Sequence, residues 1–334
     1  INLRNDSVSN ELRAHIAVER NKADSLMSRL KKERNMNREK LRKYEKELGT
    51  LRTIMRRYVH QIDSLNTLNK KLADENGCSG KLEGVGVGAP MANYYTGEIV
   101  NAANLPWKGI VPLGWLIEKK TGLPTKVTND ANAAAIGEMT YGAARGMKDF
   151  IMITLGTGVG SGIVINGQLV YGHDGFAGEL GHVVVRRENG RACGCGRKGC
   201  LETYCSATGV ARTAREFLEK NTCDSLLRSL DPANITSFDL FKAAEQGDKI
   251  ALEIFDFTGK LLGTACADFT TFNTPEAFVF FGGLTKAGDY LMKPLKEAYD
   301  ANVLNIFQGN AKLLISSLNG SEAAVLGASA LGWE

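Results

Sequence analysis

The chain changes its hydrophobic pattern near residue 76. Before that point, apolar side chains recur at heptad spacing, which places one stripe of a helix against a partner helix. The a positions of five heptads are Leu41, Leu48, Met55, Ile62 and Asn69, and the d positions are Tyr44, Leu51, Tyr58, Leu65 and Leu72. The pattern predicts a long helix over residues 1–76 with a coiled coil over 41–72, whose partner is unknown. A single solvated helix is the alternative.

After residue 84 the pattern alternates between short apolar runs and helical periodicity. Strands are predicted in "GVGVGAP", "PTKVTND" and "DFIMITL", and helices in "PLGWLIEKKTG", ended by Gly122, and "ANAAAIGEMTYGAARG". The run "GIVINGQLVYG" predicts two strands joined by a type I′ turn at Asn166-Gly167, because both residues tolerate positive φ. This alternation indicates an α/β fold.

Charge and composition divide the chain at the same place. Residues 1–76 hold 18 Lys and Arg against 11 Asp and Glu, whereas the remainder holds 23 against 26. Only Gly49 of the 37 glycines precedes Gly77, and no proline precedes Pro90. The charges of the first segment are interleaved in sign, which favours a solvated helix face over a nucleic-acid grip. Two differently built pieces therefore meet near residues 75–84.

The composition is 43% hydrophobic and 23% charged, which is ordinary for a soluble protein. No apolar run approaches the roughly 18 residues of a membrane-spanning helix, and no signal-peptide core is visible. The seven cysteines include four between Cys193 and Cys205. This crowding suits reduced cytoplasmic thiols and a metal better than a secreted disulfide framework.

A glycine-rich stretch, "LGTGVGSGIVING", follows the predicted strand "DFIMITL". Glycine lets a backbone approach a bulky anion, so such stretches often bind phosphate. Rossmann and Walker A loops run from a strand into a helix, whereas this stretch joins two predicted strands. Phosphate loops of actin-like and hexokinase-like ATPases are placed in this way. A glycine-rich hairpin without a ligand is an equal alternative.

Asn129 and Asp130 stand where a predicted strand becomes a predicted helix. Asn and Asp are common N-caps, so helix capping is the simpler interpretation. In open α/β sheets, however, ligands bind at the carboxyl ends of strands, where a carboxylate can face a cleft.

Cys193, Cys195 and Cys200 place three thiols in one short loop, and His182 lies upstream. Three sulfur ligands and one nitrogen ligand indicate a closed, tetrahedral zinc site of the structural type. Glu179 and Glu202 flank this loop, and each alone is more typical of a solvated surface. Three further cysteines, Cys205, Cys223 and Cys266, are expected to be small core residues.

Taken in order, "TNDANAA", "LGTGVGSG", "GELGH" and "CGCGRKGCLE" resemble the ROK family of sugar kinases and sugar-responsive repressors. "NLPWKG" and "TYGAARGMKDFIMITLGTGVGSG" resemble the bacterial glucokinases of that family. The resemblance runs from Gly84 to the C-terminus and implies an actin-like (ribonuclease H-like), two-lobed α/β fold. The expected domains are a coiled-coil helix over 1–76, an incomplete N-terminal lobe over 77–130 completed by a C-terminal helix at 321–334, and a C-terminal lobe over 131–320.

The resemblance also implies an activity, the ATP-dependent phosphorylation of glucose to glucose 6-phosphate. Asp130 matches the general base, and the sugar-binding positions are Asn129, Asp130, Glu179, His182 and Glu202. The other ring nitrogen of His182 is expected to bind Zn²⁺ with Cys193, Cys195 and Cys200. Nucleotide-binding positions are Gly156, Thr157, Gly158 and Gly160 in the phosphate loop and Gly282 and Gly283 at the adenosine. Mg²⁺ would neutralise phosphate charge, while a zinc with four protein ligands is structural.

The sequence departs from the family at two places. The Asp-x-Gly-Gly-Thr hairpin that forms the first phosphate loop of family kinases does not occur, and the heptad segment stands in its place, which leaves "GVGVGAP" without its usual neighbouring strand. Met91 follows Pro90 where many relatives have Pro-Gly. We therefore expect this chain to bind a sugar better than it phosphorylates it.

Three alternatives remain: a non-catalytic sugar-binding regulator of the ROK family, an N-acylhexosamine kinase, and a scaffold assembled by the coiled coil. The expected partners are a hexose, ATP and further copies of the chain in a homo-oligomer, without nucleic acid or membrane.

Overall fold

The computed structural model describes residues 82–102, 105, 109–318 and 322–332, together with Lys22 and Gly49. The predicted coiled coil over 41–72 and the motif "NLPWKG" lie largely outside these residues. The chain divides into two compact units, the first comprising residues 1–84 and 100–125, and the second residues 85–99 and 126–334.

The described residues between 100 and 125 form one helix and short strand segments of the first unit. Strand β2 (Ile99–Val100) begins at the boundary, β3 (Ile110–Val111) follows, and helix α1 spans Leu113–Thr121. The helix ends at Gly122, which has φ of 71° and donates its N–H to the Glu118 carbonyl. This is the glycine C-cap that the sequence predicts.

The second unit carries the remaining elements. Its strands are β1 (Val85–Gly88), β4 (Thr125–Thr128, entered from the first unit), β5 (Phe150–Leu155), β6 (Val159–Ile165), β7 (Gln168–Leu169), β8 (Ala277–Phe281) and β9 (Lys312–Ile315). Its helices are α2 (Asp130–Tyr141), α3 (Glu202–Cys205), α4 (Ala207–Lys220), α5 (Ser237–Glu245), α6 (Lys249–Asn273), α7 (Asp289–Asn302) and α8 (Glu322–Leu331).

Side-chain caps fix where several of these helices begin. Ser206 accepts from the Gly209 N–H at the start of α4, and Asp248 accepts from the Ala251 N–H at the start of α6. Thr236 and Asp239 form a capping box at α5. Each cap satisfies backbone donors that the first turn of a helix leaves free.

A five-stranded mixed sheet, in the order β7-β6-β5-β8-β9, lies at the centre of the second unit. The central strand β5 pairs antiparallel with β6 and parallel with β8. Strands β6 and β7 are joined at Asn166 and Gly167, whose φ values of 53° and 76° suit the predicted type I′ turn. The glycine-rich stretch therefore joins two strands, as predicted.

The alternating side chains of β5 face two separate cores. Ile151, Ile153 and Leu155 pack among the apolar residues of helices α3 to α7. Phe150 and Met152 pack on the other face with residues of α2 and α8. Both faces of β5 are covered, which explains why it reads as an unbroken apolar run.

Helix α8 packs closely on α2 and on β1. A Cβ at Gly327 would overlap the Ala133 carbonyl, and a Cβ at Gly137 would overlap the Ala323 carbonyl. These two glycines let the helix backbones approach more closely than any other residue would allow. In the second unit, helix α8 thus packs against α2, the helix that begins at Asp130.

Two predicted features differ in the structure. Helix α2 ends at Tyr141 and does not continue to Gly146, because the Glu138 carboxylate accepts from the Ala143 N–H at 2.8 Å and ends the helix there. Cys205 and Cys266 are buried, but Cys223 is exposed in the connection after α4, where its carbonyl accepts from Arg228 Nε. Cys223 is therefore not a core residue.

Among the described residues, no helix has the length and apolarity that a membrane span requires.

Candidate active site

The glycine turn, defined here as residues 156–160, connects β5 to β6. Leu155 pairs with Val159, and the Gly156 N–H donates to the Gly158 carbonyl at 3.1 Å. A Cβ added to Gly156 would meet open space, whereas one added to Gly160 would lie 2.9 Å from the Ala131 Cβ. The outer part of the turn is thus accessible to a ligand, and its end lies against the start of α2.

Asn129 and Asp130 occupy that start of α2. The Ala131 N–H donates both to Asn129 Oδ1 at 2.9 Å and to Asp130 Oδ1 at 2.8 Å. Capping is therefore present in the structure. Asp130 is nevertheless exposed, and the approach of Gly160 to Ala131 places its helix turn beside the glycine turn.

Acidic side chains from three segments of the chain share this region. The pKa of Glu179 is raised, chiefly by burial and further by the negative charges of Asp130 and Glu202, against an opposing effect of His182. His182 Nε2 lies 3.9 Å from Glu179 Oε2. Electrostatic coupling of this kind requires proximity, so residues far apart in sequence converge on one charged site.

Glu202, the first residue of α3, lies between the glycine turn and the cysteines. Its Oε2 accepts from the Val159 N–H at 3.1 Å, and its Oε1 lies 3.7 Å from Cys193 Sγ. The carboxylate thus contacts one residue of the turn and one of the candidate metal ligands.

The ligand atoms of His182, Cys193, Cys195 and Cys200 all lie within 4.8 Å of one another. Cys195 Sγ and Cys200 Sγ are 3.6 Å apart, and His182 Nδ1 lies 3.6 Å from Cys193 Sγ. Tetrahedral zinc, with bonds of about 2.3 Å to sulfur and about 2.0 Å to nitrogen, requires ligand separations of about 3.5–3.8 Å. These donors fit a closed Cys3His zinc site.

Backbone hydrogen bonds shape the loop that carries these ligands. The Cys193 N–H donates to the Arg197 carbonyl at 2.9 Å, and Arg197 Nη2 donates to the His182 carbonyl at 2.8 Å. Burial opposes ionisation of the Cys195 thiol, but hydrogen bonds from Arg197 and the neighbouring thiols outweigh it and lower its pKa to about 6. Burial raises the pKa of the Cys193 and Cys200 thiols, so Cys195 alone of the three is disposed to the thiolate that a metal requires.

Arg191 anchors this loop from behind. Its guanidinium lies 4.4 Å from the Tyr204 ring centroid, and only 7% of the residue is exposed. The acceptors of its side-chain N–H groups are the carbonyls of Thr203 and Gly209, Thr213 Oγ1 and Glu216 Oε2. Every one of these partners lies on α3 or α4, so the loop is fixed to those helices.

Gly282 and Gly283 follow β8 and lie next to the glycine turn. Gly282 has φ of 114°, and a Cβ on it would lie 2.5 Å from the Leu155 carbonyl oxygen. Only glycine fits this backbone conformation and this approach. The ends of the parallel strands β5 and β8 therefore present their two turns side by side.

The sequence did not indicate the contacts of Thr208. Its Oγ1 donates to the Thr157 carbonyl at 2.8 Å, across 51 residues of sequence. No local pattern in the sequence shows that the first turn of α4, which Ser206 caps, contacts the glycine turn.

Pro90 and Met91 form a tight turn, in which the Ala92 N–H donates to the Ala89 carbonyl at 3.2 Å. Met91 has φ of 55°. Proline at the second position and positive φ at the third are the features of a type II turn, which favours glycine at the third position. The conformation suits the Pro-Gly that many relatives have.

Known proteins share this fold. A ROK family glucokinase from Streptomyces griseus, solved in complex with glucose and AMPPNP, matches with a TM-score of 0.67 and 34% identity over 75% of this chain and 81% of that chain. The glucokinase of Halalkalibacterium halodurans is 42% identical over 267 residues, which are 79% of each chain. A xylose repressor from Caldicellulosiruptor bescii is 28% identical over 249 residues, covering 74% of this chain and 62% of the repressor.

The fold and its turns define the chain as one with the actin-like fold of the sugar kinases. The model of the ROK family matches residues 37–334, and the chain belongs to the ROK family. This match begins within the heptad segment, earlier than the Gly84 from which the motifs resemble the family.

Proposed function

We propose that the protein phosphorylates glucose at its 6-hydroxyl with MgATP as the phosphoryl donor. The proposal rests on the contact between the glycine turn and the start of α2, which carries Asp130. Gly160 lies against Ala131, one residue after Asp130. Phosphoryl transfer requires a base on the attacking hydroxyl and a phosphate held in line with it. The sugar kinases that the chain resembles support the same assignment.

Asp130 accepts the proton of the sugar hydroxyl in this proposal. It is exposed, so a substrate can reach it, and helix α2 fixes its position through the cap. A positioned base contributes about 10²–10⁴ in rate. Asn129, Glu179, His182 and Glu202 orient the sugar by hydrogen bonds to its other hydroxyls.

The glycine turn holds the phosphates, and Gly282 and Gly283 lie against the adenosine. Zn²⁺ held by His182, Cys193, Cys195 and Cys200 supplies a fixed loop for the sugar ligands and no open coordination position. Because His182 Nδ1 faces Cys193, its Nε2 remains on the side of Glu179. One histidine thereby serves both the metal loop and the sugar.

The assignment of glucose rests on relatives, so the test uses a panel of sugars. ATP consumption is measured with glucose, N-acetylglucosamine, N-acetylmannosamine or xylose as the single sugar, in a version of the protein that has a complete kinase N-terminus. Binding of each sugar to the 334-residue chain is measured separately by calorimetry. We expect glucose to bind to the chain and to be the sugar that supports ATP consumption in the completed protein. Turnover of an N-acylhexosamine but not of glucose would contradict the assignment.

A sugar-binding regulator is the second candidate. The absence of an Asp-x-Gly-Gly-Thr motif from the printed sequence favours it, as does the similarity to a xylose repressor. Binding of a sugar together with no ATP consumption, even after a complete kinase N-terminus is supplied, would support the regulator.

We also propose a cytoplasmic location and self-association of the chain. The cysteines that are described are free, which suits a reducing, cytoplasmic location. Self-association into a homo-oligomer would follow from the heptad pattern of residues 41–72.

A further inference from the structure

We propose that the segment just after Cys200, the last of the four candidate metal ligands, positions the glycine turn for the nucleotide. We call its three contacting residues, Glu202, Ala207 and Thr208, the turn clamp. This proposal rests on the proposed function, because it assumes that the glycine turn binds the phosphates of ATP. It makes Glu202 and Thr208 positioning residues, in addition to the role of Glu202 near the sugar.

Each member of the turn clamp contacts a different part of the turn backbone. The Ala207 N–H donates to the Gly156 carbonyl at 2.8 Å, and Thr208 Oγ1 donates to the Thr157 carbonyl at 2.8 Å. Glu202 Oε2 accepts from the Val159 N–H at 3.1 Å, a bond strengthened by the carboxylate charge. The clamp thus contacts three of the five residues of the turn.

These contacts select which backbone groups a phosphate meets. Two carbonyl oxygens, which would repel a phosphate, are occupied by Ala207 and Thr208. In the described part of the chain, the N–H groups of Thr157 and Gly158 have no protein acceptor. Free backbone N–H groups in a tight turn are the donors with which proteins bind phosphate. The clamp therefore occupies two acceptors and one donor, the Val159 N–H, and leaves the N–H groups of Thr157 and Gly158 exposed.

The glycine at position 158 is required by the clamp. A Cβ there would run into Glu202 Oε2, so any other residue would push the carboxylate away from the Val159 N–H. This gives Gly158 a specific reason to be glycine, because its neighbour in space is a side chain of α3.

The turn clamp is joined to the metal-binding loop at its other end. Glu202 follows Cys200 by two residues, and its Oε1 lies 3.7 Å from Cys193 Sγ. The intervening Leu201 is fully buried, and its N–H donates to the Val183 carbonyl at 2.9 Å. A loop fixed by the metal therefore fixes Glu202, and through Glu202 the turn. We infer that loss of the metal weakens nucleotide binding as well as sugar binding.

The first test separates nucleotide binding from sugar binding in the full chain. Thr208→Val keeps the shape and removes a hydroxyl that donates to the Thr157 carbonyl and lies 3.0 Å from Ser206 Oγ. We expect the affinity for AMPPNP to fall about 3- to 10-fold, the value of the lost bond to the turn, with glucose affinity within about 2-fold of the parent. Thr208→Ser keeps the hydroxyl and should restore binding. Thr264→Val, which removes a similar bond to the Lys260 carbonyl on α6, is the matched control.

Parent-like AMPPNP binding by Thr208→Val would overturn the positioning role. Equal weakening of AMPPNP and glucose, or loss of bound metal from the variant, would also overturn it, because a general structural defect predicts either result.

The second test needs no nucleotide. Hydrogen exchange of the Val159 amide should accelerate in Glu202→Ala and in the metal-free chain, with Glu219→Gln on α4 as the control. Unchanged exchange in both would overturn the link between metal loop and turn. If the parent chain binds glucose but no AMPPNP, the proposed function fails, and this exchange experiment alone decides whether the clamp exists.

Discussion

At the scale of single residues, the site depends on one residue that serves two purposes. Asp130 begins α2 and accepts from the Ala131 N–H, yet it also belongs to the charged group that raises the pKa of Glu179. Asn129 is the N-cap residue, and the hydrogen bond from the Ala131 N–H uses only one of the two Asp130 carboxylate oxygens, which leaves the other for the proposed role as base.

We predict that Asp130→Asn preserves sugar binding and lowers turnover by about 10²–10⁴. Asn129 is the N-cap residue and is unchanged, and an Asn at position 130 can still accept from the Ala131 N–H, so the fold should be unaffected. The measurement is glucose-dependent ATP consumption in a version of the protein with a complete N-terminal lobe, with calorimetry for glucose as the control. An Asn variant as active as its parent would remove Asp130 from the mechanism.

A second residue-scale prediction concerns Met91, whose φ of 55° favours glycine. Replacing a non-glycine residue in this conformation relieves strain of about 1–2 kcal/mol, while glycine in the unfolded chain costs about 0.5–1 kcal/mol. We therefore expect Met91→Gly to raise the free energy of unfolding by about 0.5–1 kcal/mol. Denaturant unfolding measures it, and Met91→Ala, which keeps the strain, should show no gain.

Much of the site was visible in the sequence, and the reason differs by residue. Spacing alone groups His182 with the three cysteines, and alternation of glycines between two apolar runs places the turn between strands. Thr208 and Ala207 were not visible, since their contacts with the turn depend on how α3 and α4 pack. Cys223 was misplaced in the core because cysteine is commonly buried, whereas its position in an irregular connection exposes it.

At the scale of elements, the candidate metal-binding loop, residues 182–200, connects the parts of the site. It supplies His182 on one side and leads directly into α3 on the other. The end of α2 at Tyr141 shows the limit of propensity at this scale, since the alanine-rich sequence favours a longer helix and one carboxylate, Glu138, ends it.

We predict one tightly bound zinc per chain. Removing it should lower both sugar affinity and thermal stability, because His182 would lose the metal ion that orients its ring. Elemental analysis of the purified chain measures the metal, and calorimetry of the metal-free form measures the affinity for glucose. Absence of zinc, or normal glucose binding without it, would contradict this prediction.

At the scale of the whole molecule, the turn at Gly156 and the turn at Gly282 are both in place, while the sequence holds no first phosphate hairpin. Positioning errors of about 1 Å can cost on the order of 10²-fold in phosphoryl transfer. The resemblance implies a glycine-rich β-hairpin as one wall of that site, and the helix that the heptad pattern predicts, which lies largely outside the described residues, would not reproduce its shape.

We therefore expect weak or no glucose-dependent ATP consumption by the 334-residue chain, and recovery when residues 1–80 are replaced by a complete kinase N-terminus. Both proteins are compared in one coupled assay, with glucose binding as the control for folding. Turnover of about 1–10³ s⁻¹, the ordinary enzyme range, by the unmodified chain would show that the hairpin is dispensable.

The anchoring of Arg191 has a consequence for the lifetime of the bound metal. A chelator can take a four-coordinate zinc only after a ligand swings away, and the loop that carries the cysteines is held by a buried guanidinium with acceptors on two helices. Its partner Glu216 has a lowered pKa, since the charge and hydrogen bonds of Arg191 and Arg212 outweigh its burial. The ion pair thus stays charged at neutral pH. Release of zinc should accordingly be slow even where its equilibrium affinity is modest, and Arg191→Met should accelerate it severalfold in a chelator competition.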